Sequence, residues 1–288
     1  MSEICNNWTE WLKKNRFAGQ TPAMIEQTTK WLEAVRDVIL LYADIKPTDV
    51  VIDIGTGTGL LAFKALEMQE CKGNVIFSDK FADCLQDCQR ILDQSCVTQG
   101  YQMMLAPCEH IAMPECSVDK ALMRSVLVHI VNKQPAISEI YRILRRGGKF
   151  CAFEPIIRSN TRYWEILDPK AISKYEDFKR VENEMMENPE DSLCNFDEKT
   201  LRMNLEIAGF TVPEVKVQEV KSNYVVQDGM VAEWFNNPPS PGQPSTKERY
   251  LKYFDESTVN KYMYDVQNYL TGREINLKSN AVFINATK

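Results

Sequence analysis

Val50-Val51-Ile52-Asp53-Ile54-Gly55-Thr56-Gly57-Thr58-Gly59 runs straight into Leu60-Leu61-Ala62-Phe63-Lys64-Ala65-Leu66. Val50, Val51, Ile52 and Ile54 are β-branched, as a buried strand requires. An acidic residue, Asp53, stands near the strand end, a glycine turn follows, and a helix begins. Glycines carry no side chain and tolerate positive φ, so the backbone can approach a ligand closely. The helix start presents free N–H groups to that ligand. Asp53 disfavours a phosphate placed beside it, so a cationic or neutral ligand suits the turn better than a pyrophosphate.

Outward from this unit, strands and helices alternate. Strands are expected over 74–78 (closed by Asp79), 101–105, 118–123 and 149–153, with helices over 60–68, 81–94 and 134–144. That spacing predicts an α/β fold, a doubly wound, mostly parallel sheet covered on both faces. Upstream, residues 8–17 read as a short amphipathic helix. Thr21-Pro22 then supplies a helix start, and apolar residues at Ile25, Trp31, Leu32, Val35, Val38, Ile39 and Tyr42 carry helical spacing over 23–43. Downstream, residues 156–200 are charged and mostly helical. A helix over 201–208 and a strand over 211–220 follow. The interruption at 222–262 contains Asn237-Pro238-Pro239-Ser240-Pro241-Gly242-Gln243-Pro244, an irregular loop by its prolines. A helix near 246–270 precedes a last strand at 280–286. The expected organisation is one domain over 1–288: cap helices at 1–45, a ligand-binding core at 46–155, a helical lid insertion at 156–200, and C-terminal strands at 201–288 interrupted by 222–262.

A chain of 288 residues is near the upper limit for one continuous core. Its 34 basic residues are scattered among 40 acidic ones, giving a net charge of −6 with no basic face, so no nucleic-acid partner is expected. No stretch reaches membrane-span length and Met1-Ser2-Glu3-Ile4-Cys5 does not open a signal peptide, so no membrane partner and a cytoplasmic setting are expected. The nine cysteines include no CxxC pair and read as free thiols. Cys84 and Cys88 share a helical stripe that reads as core, and no metal is expected. A monomer or homodimer is equally compatible with this surface.

Asp79, at the end of the second strand, can hydrogen-bond the two hydroxyls of a ribose. The glycine turn and this carboxylate thus form an adenosine-binding pair, with two registers open. Gly57-Thr58-Gly59-Leu60-Leu61-Ala62 fits G-x-G-x-x-A, a nicotinamide dinucleotide fingerprint, but the strand would have to continue through Gly55 and Thr56. The other register places the turn at Gly55, Gly57 and Gly59, with Asp53 at the strand end.

In that second register, Asp53-Ile54-Gly55-Thr56-Gly57-Thr58-Gly59 resembles the first motif of the class I S-adenosylmethionine-dependent methyltransferases. Met123-Arg124-Ser125-Val126-Leu127-Val128-His129-Ile130 and Leu144-Arg145-Arg146-Gly147-Gly148-Lys149-Phe150 resemble that family's fourth strand, following helix and fifth strand. The likeness is strong over 46–155 and weak beyond, and the small-molecule enzymes are the nearest group. It implies a Rossmann-like sheet of seven strands with the last antiparallel, S-adenosyl-L-methionine as cofactor, and methyl transfer by in-line displacement to an oxygen, nitrogen or sulfur acceptor. It implies cofactor contacts at Asp53, Gly55, Thr56, Gly57, Gly59, Asp79 and Lys80. Family members often carry an Asp after the third strand; here Pro107 takes that place, leaving the backbone of Cys108 and Glu109 for adenine. A nicotinamide-dependent oxidoreductase and a non-catalytic S-adenosylmethionine-binding module are the alternatives. Thiol-dependent arsenic methylation would need cysteine motifs this chain does not show.

Each remaining candidate carries a structural reading beside the functional one. Trp8, Trp11 and Phe17 could close over a sulfonium by cation–π attraction, or pack their helix on the domain. His129 could act as general base or only position a ligand. Arg124 could pair with a ligand carboxylate, or with Glu154 at the end of the fifth strand. Glu154, Tyr163, Trp164 and Trp234 could line the substrate pocket, or pack away from solvent.

Overall fold

The computed structural model describes residues 22–288. Helix α1 (Pro22–Ala43) leads into β1 (Val50–Ile54), α2 (Leu60–Met68), β2 (Asn74–Asp79), α3 (Ala82–Gln94), β3 (Tyr101–Leu105), β4 (Val118–Arg124), α4 (Lys133–Ile143) and β5 (Leu144–Pro155). Helices α5 (Tyr175–Met186) and α6 (Glu198–Ala208) precede β6 (Thr211–Val225). Helices α7 (Met230–Asn236), α8 (Thr246–Tyr250) and α9 (Glu256–Leu270) stand between β6 and β7 (Glu274–Thr287). The expected helix at 8–17, with Trp8, Trp11 and Phe17, lies outside the described residues, as does Thr21.

The seven strands form one sheet in the order β3-β2-β1-β4-β5-β7-β6. Strands β1 to β5 pair in parallel, and β7 runs antiparallel to β5 and β6. Successive strand residues point to opposite faces, so each central strand feeds two cores. Ile52, Ile76, Ala121 and Phe150 join one core with Ile137 and Ile140 of α4 and Leu201 and Leu205 of α6. Val51, Val75, Leu122 and Cys151 join the other with Ile39 of α1, Leu61 and Ala65 of α2, and Leu85 and Cys88 of α3. Each fully buried aliphatic side chain in these layers stabilises by about 1.5–3 kcal/mol.

A third core, rich in aromatic residues, joins the two insertions to each other and to Ile275 at the start of β7. Phe178 of α5 stacks on Tyr262 of α9 at 3.7 Å between ring centroids, and Phe235 of α7 stacks near Tyr250 of α8 at 6.0 Å. Leu167, Val181, Val259, Val266 and Leu270 complete it. The insertions therefore pack on each other.

Three boundaries differ from expectation. Strand β5 starts at Leu144, because Val118 pairs with Leu144 before a bulge and Lys120 pairs with Lys149 after it. Strands β6 and β7 pair as far as Val225↔Glu274, whereas β5 reaches β7 only at Ala281. The outer halves form a two-stranded ribbon past the sheet, and the interruption between the strands is correspondingly 226–273. The helix expected over 246–270 is two helices. Ser245 and Glu248 cap α8 reciprocally, and the Asp255 carboxylate accepts the Thr258 N–H at 2.8 Å to start α9.

Candidate active site

The strand order reverses between β1 and β4, which opens a crevice at their carboxyl ends. The turn after β1 fills it. Gly55, Gly57 and Gly59 have φ of +69°, +54° and +80°. At Gly55 the constraint is double, since a Cβ there would lie 2.4 Å from Val126 Cγ2 across the crevice. Strand β1 ends at Ile54, before Gly55 and Thr56. The G-x-G-x-x-A register, which needs the strand to continue, is not the one adopted.

Two carboxylates brace this turn from opposite sides. Asp53 accepts from Thr56 Oγ1 at 2.8 Å and from the Ala62 N–H at 3.1 Å, both on Oδ2, so it caps the first turn of α2. Asp79 accepts from the Gly57 N–H at 2.9 Å and the Phe81 N–H at 3.0 Å. Both are almost fully buried. Burial raises Asp53 to about 7, against the lowering pull of its Thr56 and Ala62 hydrogen bonds and of Arg124, with Asp79 adding to the rise. Asp79 is also raised, again chiefly by burial, while the Gly57 and Phe81 N–H groups lower it. A cation seated between them would favour their ionised forms.

Around the turn lies a cavity of about 530 Å³. The expected cofactor residues meet there: Asp53, Gly55, Thr56, Gly57, Asp79, Lys80, Cys108, Glu109 and Arg124 all line it, and Gly59 caps α2 immediately behind. Pro107 lines the wall beside Cys108 and Glu109, and burial, followed by the Glu109 charge, pushes the Cys108 thiol up, so it faces the cavity protonated. His129 also lines the cavity, on the short helical turn at 127–129 that follows β4. Burial, with Lys80 and Lys133 adding to it, pulls His129 down to about 4, so its imidazole is neutral at neutral pH.

Sequence reasoning missed part of the lining. Ser125 sits at the sheet crossover with φ of +56° and donates its N–H to Phe153 O at 2.8 Å. A non-glycine residue in that region is strained, and such strain collects at functional sites. Phe81, Val126 and Ile130 also face the cavity, and Pro239, Ser240, Pro241, Gly242 and Gln243 roof it. The only sequence signal for the roof was its run of prolines.

Four expected substrate residues lie elsewhere. Glu154 is fully buried behind the β4 turn, where its carboxylate accepts the N–H groups of Val126, Leu127 and Val128 at 2.8, 3.0 and 3.1 Å. It takes no ion pair with Arg124 among the described residues, and Arg124 Nη1 instead reaches Ser125 Oγ at 3.5 Å. Tyr163 stacks on Phe235 at 5.0 Å and on Trp234 at 6.2 Å within the aromatic insertion core. Trp164 donates Nε1–H to Asn183 Oδ1 at 3.2 Å and lies under Lys179 Nζ at 4.6 Å. These rings pack in the insertions, away from the cavity. Trp11 and Phe17 lie outside the described residues. Cys84 and Cys88 are buried along α3, and the Cys88 thiol meets Gly57 O at 3.6 Å, which backs the turn from below.

The cavity thus offers buried carboxylates at one side, the cations of Lys80 and Arg124 at another, and backbone within contact range of a ligand. That set fits a molecule carrying an ammonium, a carboxylate and vicinal hydroxyls on one frame.

Comparison with known proteins bears on the same region. The family described as Methyltransferase domain matches residues 45–209. The ubiquinone/menaquinone biosynthesis C-methyltransferase UbiE of Francisella tularensis subsp. holarctica is 26% identical over 171 residues, covering 58% of this chain and 68% of that protein. The UbiE of Xanthomonas oryzae pv. oryzae is 29% identical over 107 residues, 37% of this chain and 42% of that one. Among solved structures, YcgJ from Bacillus subtilis superposes with a TM-score of 0.56 at 15% identity, over 88% of this chain and 98% of its own. Phosphoethanolamine N-methyltransferase 2 of Haemonchus contortus, in complex with S-adenosyl-L-methionine, gives 0.54 at 14% identity over 100% of this chain and 60% of its own.

Proposed function

This chain belongs to the methyltransferase-domain family and is an S-adenosylmethionine-dependent methyltransferase of small molecules; we propose that the cavity after β1 seats the cofactor and that the acceptor enters beneath the 239–243 roof. The observation that carries this reading is the bracing of one positive-φ glycine turn by two buried carboxylates that both reach the same cavity.

S-adenosylmethionine supplies a methyl made electrophilic by its sulfonium. The chain's own residues have the following work. Asp79, fixed by the Gly57 and Phe81 N–H groups, keeps lone pairs for ribose hydroxyls. Asp53, fixed on Oδ2, holds the ammonium side, and Arg124 answers the carboxylate. Cys108 and Glu109 offer backbone groups to adenine. Lys80 stands beside Asp79 and Phe81, with Nζ 4.9 Å from the Phe81 ring centre. The roof and the neutral His129 line the remaining space, where they exclude water and orient the acceptor. A proton-acceptor with a value near 4 has little driving force to strip a hydroxyl or an ammonium at neutral pH, so His129 serves as a hydrogen-bond acceptor that aims the nucleophile. The whole chain works as one methyltransferase domain, with 46–155 holding cofactor and the insertions covering it.

The test is calorimetry with S-adenosylhomocysteine and NAD, followed by transfer of label from methyl-labelled cofactor into a metabolite extract. Binding of the first ligand alone, abolished in Asp79→Ala, and a labelled small-molecule product support the reading. NAD binding, or no labelled product, contradicts it.

A further inference from the structure

We propose that Arg249, which does not line the cofactor cavity, is a positioning residue that sets how fast cofactor leaves it; this rests on the cofactor reading above. The roof cannot hold itself. Pro238, Pro239, Pro241 and Pro244 have no N–H to donate, and the one internal backbone bond among residues 239–243 is Gln243 N–H to Ser240 O at 3.1 Å. It is held by side-chain contacts to the rest of the chain. Gln243 Nε2 donates to Ser192 Oγ at 3.2 Å, and Arg249 Nε donates to Pro244 O at 3.2 Å. Arg249 Nη1 pairs with Asp191, and both side chains are largely shielded from solvent.

The turn at 191–195 that receives these contacts also holds the opposite wall. Lys133 Nζ donates to Ser192 O at 3.2 Å, to Asn195 Oδ1 at 2.6 Å and to Ile130 O at 2.8 Å, one residue past His129. Asn195 Nδ2 donates to Val131 O at 2.9 Å. One turn therefore ties the roof to the segment that carries His129 and Ile130, both of which line the cavity. Arg249 is the only cation joining that turn to the roof segment among the described residues. It also borders a separate cavity of about 390 Å³ on the far side of Gln243, into which a loosened roof could swing.

Removing the guanidinium leaves Asp191 a shielded charge without its partner and frees the Pro244 carbonyl at the same stroke. The roof then opens more often, and ligand dissociation, more than association, absorbs the change. The experiment measures release of S-adenosylhomocysteine from the full chain by chase, alongside thermal melting without ligand. Arg249→Ala is expected to release about tenfold faster with association nearly unchanged, and Arg249→Lys, which keeps the ion pair but not the fork, to fall between it and the parent chain. Asp191→Asn serves if Arg249→Ala does not fold, and is expected to accelerate release in the same direction. A lowered melting temperature with unchanged release makes Arg249 merely structural and overturns the proposal. A parent chain that binds no S-adenosylhomocysteine overturns the cofactor reading itself, and this inference with it.

Discussion

Substituting Ala for Gly55 tests how the turn after β1 is built. Two costs arise from the geometry. The residue sits at φ of +69°, a left-handed conformation that costs an L-residue about 1–2 kcal/mol. The new Cβ would also stand 2.4 Å from Val126 Cγ2, far inside contact distance, so Val126 must leave its rotamer or the turn must shift. Overpacking of this kind costs about 1–3 kcal/mol. Gly55→Ala should therefore lose about 2–5 kcal/mol by urea unfolding and weaken S-adenosylhomocysteine binding, since Val126 itself lines the cavity. Adding Val126→Ala separates the two costs. It removes both Cγ atoms and leaves the backbone term, so the double variant should recover about 1–3 kcal/mol relative to the sum of the singles. Additivity within about 0.5 kcal/mol would refute the reasoning, because the clash would then carry no energy.

Three further outcomes are expected. Glu154→Ala strands the N–H groups of Val126, Leu127 and Val128 and should cost about 3 kcal/mol or more in urea unfolding, whereas a substrate-binding role would leave stability intact and raise KM. Burial has raised Asp53 to about 7, and its ionised form is the one that takes an ammonium, so calorimetric affinity for S-adenosylhomocysteine should rise as pH increases through about 7 and level above it; Asp53→Asn should bind weakly with no such slope. Burial has pulled His129 down to about 4, so it is deprotonated well below neutrality; turnover should show no histidine limb between about pH 6 and 9, and His129→Ala should lower acceptor kcat/KM while leaving S-adenosylhomocysteine affinity unchanged.

The cofactor half of the molecule was legible because its residues are locally decisive. Four β-branched residues, three glycines and a carboxylate place β1, the turn and α2 at the residues the structure shows. Where pairing rather than local pattern extends a strand, the sequence was silent. Lys221, Ser222 and Asn223 carry no alternation, yet β7 extends β6 through them to Val225. Helix α8 stops at Tyr250, and Asp255 begins α9 through a cap that looks the same as any exposed Asp. Glu154 was misplaced because a central strand is covered on both faces, and one acidic residue at its end does not say which backbone it will cap. Tyr163, Trp164 and Trp234 were candidates for the pocket by residue type, but the insertions needed a core of their own and took them. The roof was the reverse case: small and proline-rich residues with no chemistry to advertise, held over the cavity by the Gln243 bond to Ser192 and by Arg249, which bridges Pro244 O to Asp191 in a distant part of the chain.

A crystal structure of the full chain with S-adenosylhomocysteine puts the central claim to its most direct test. The account predicts ribose hydroxyls against Asp79, the amino-acid end between Asp53 and Arg124, and the 239–243 segment closed above them. Product bound anywhere else, or a ribose that does not touch Asp79, would contradict it.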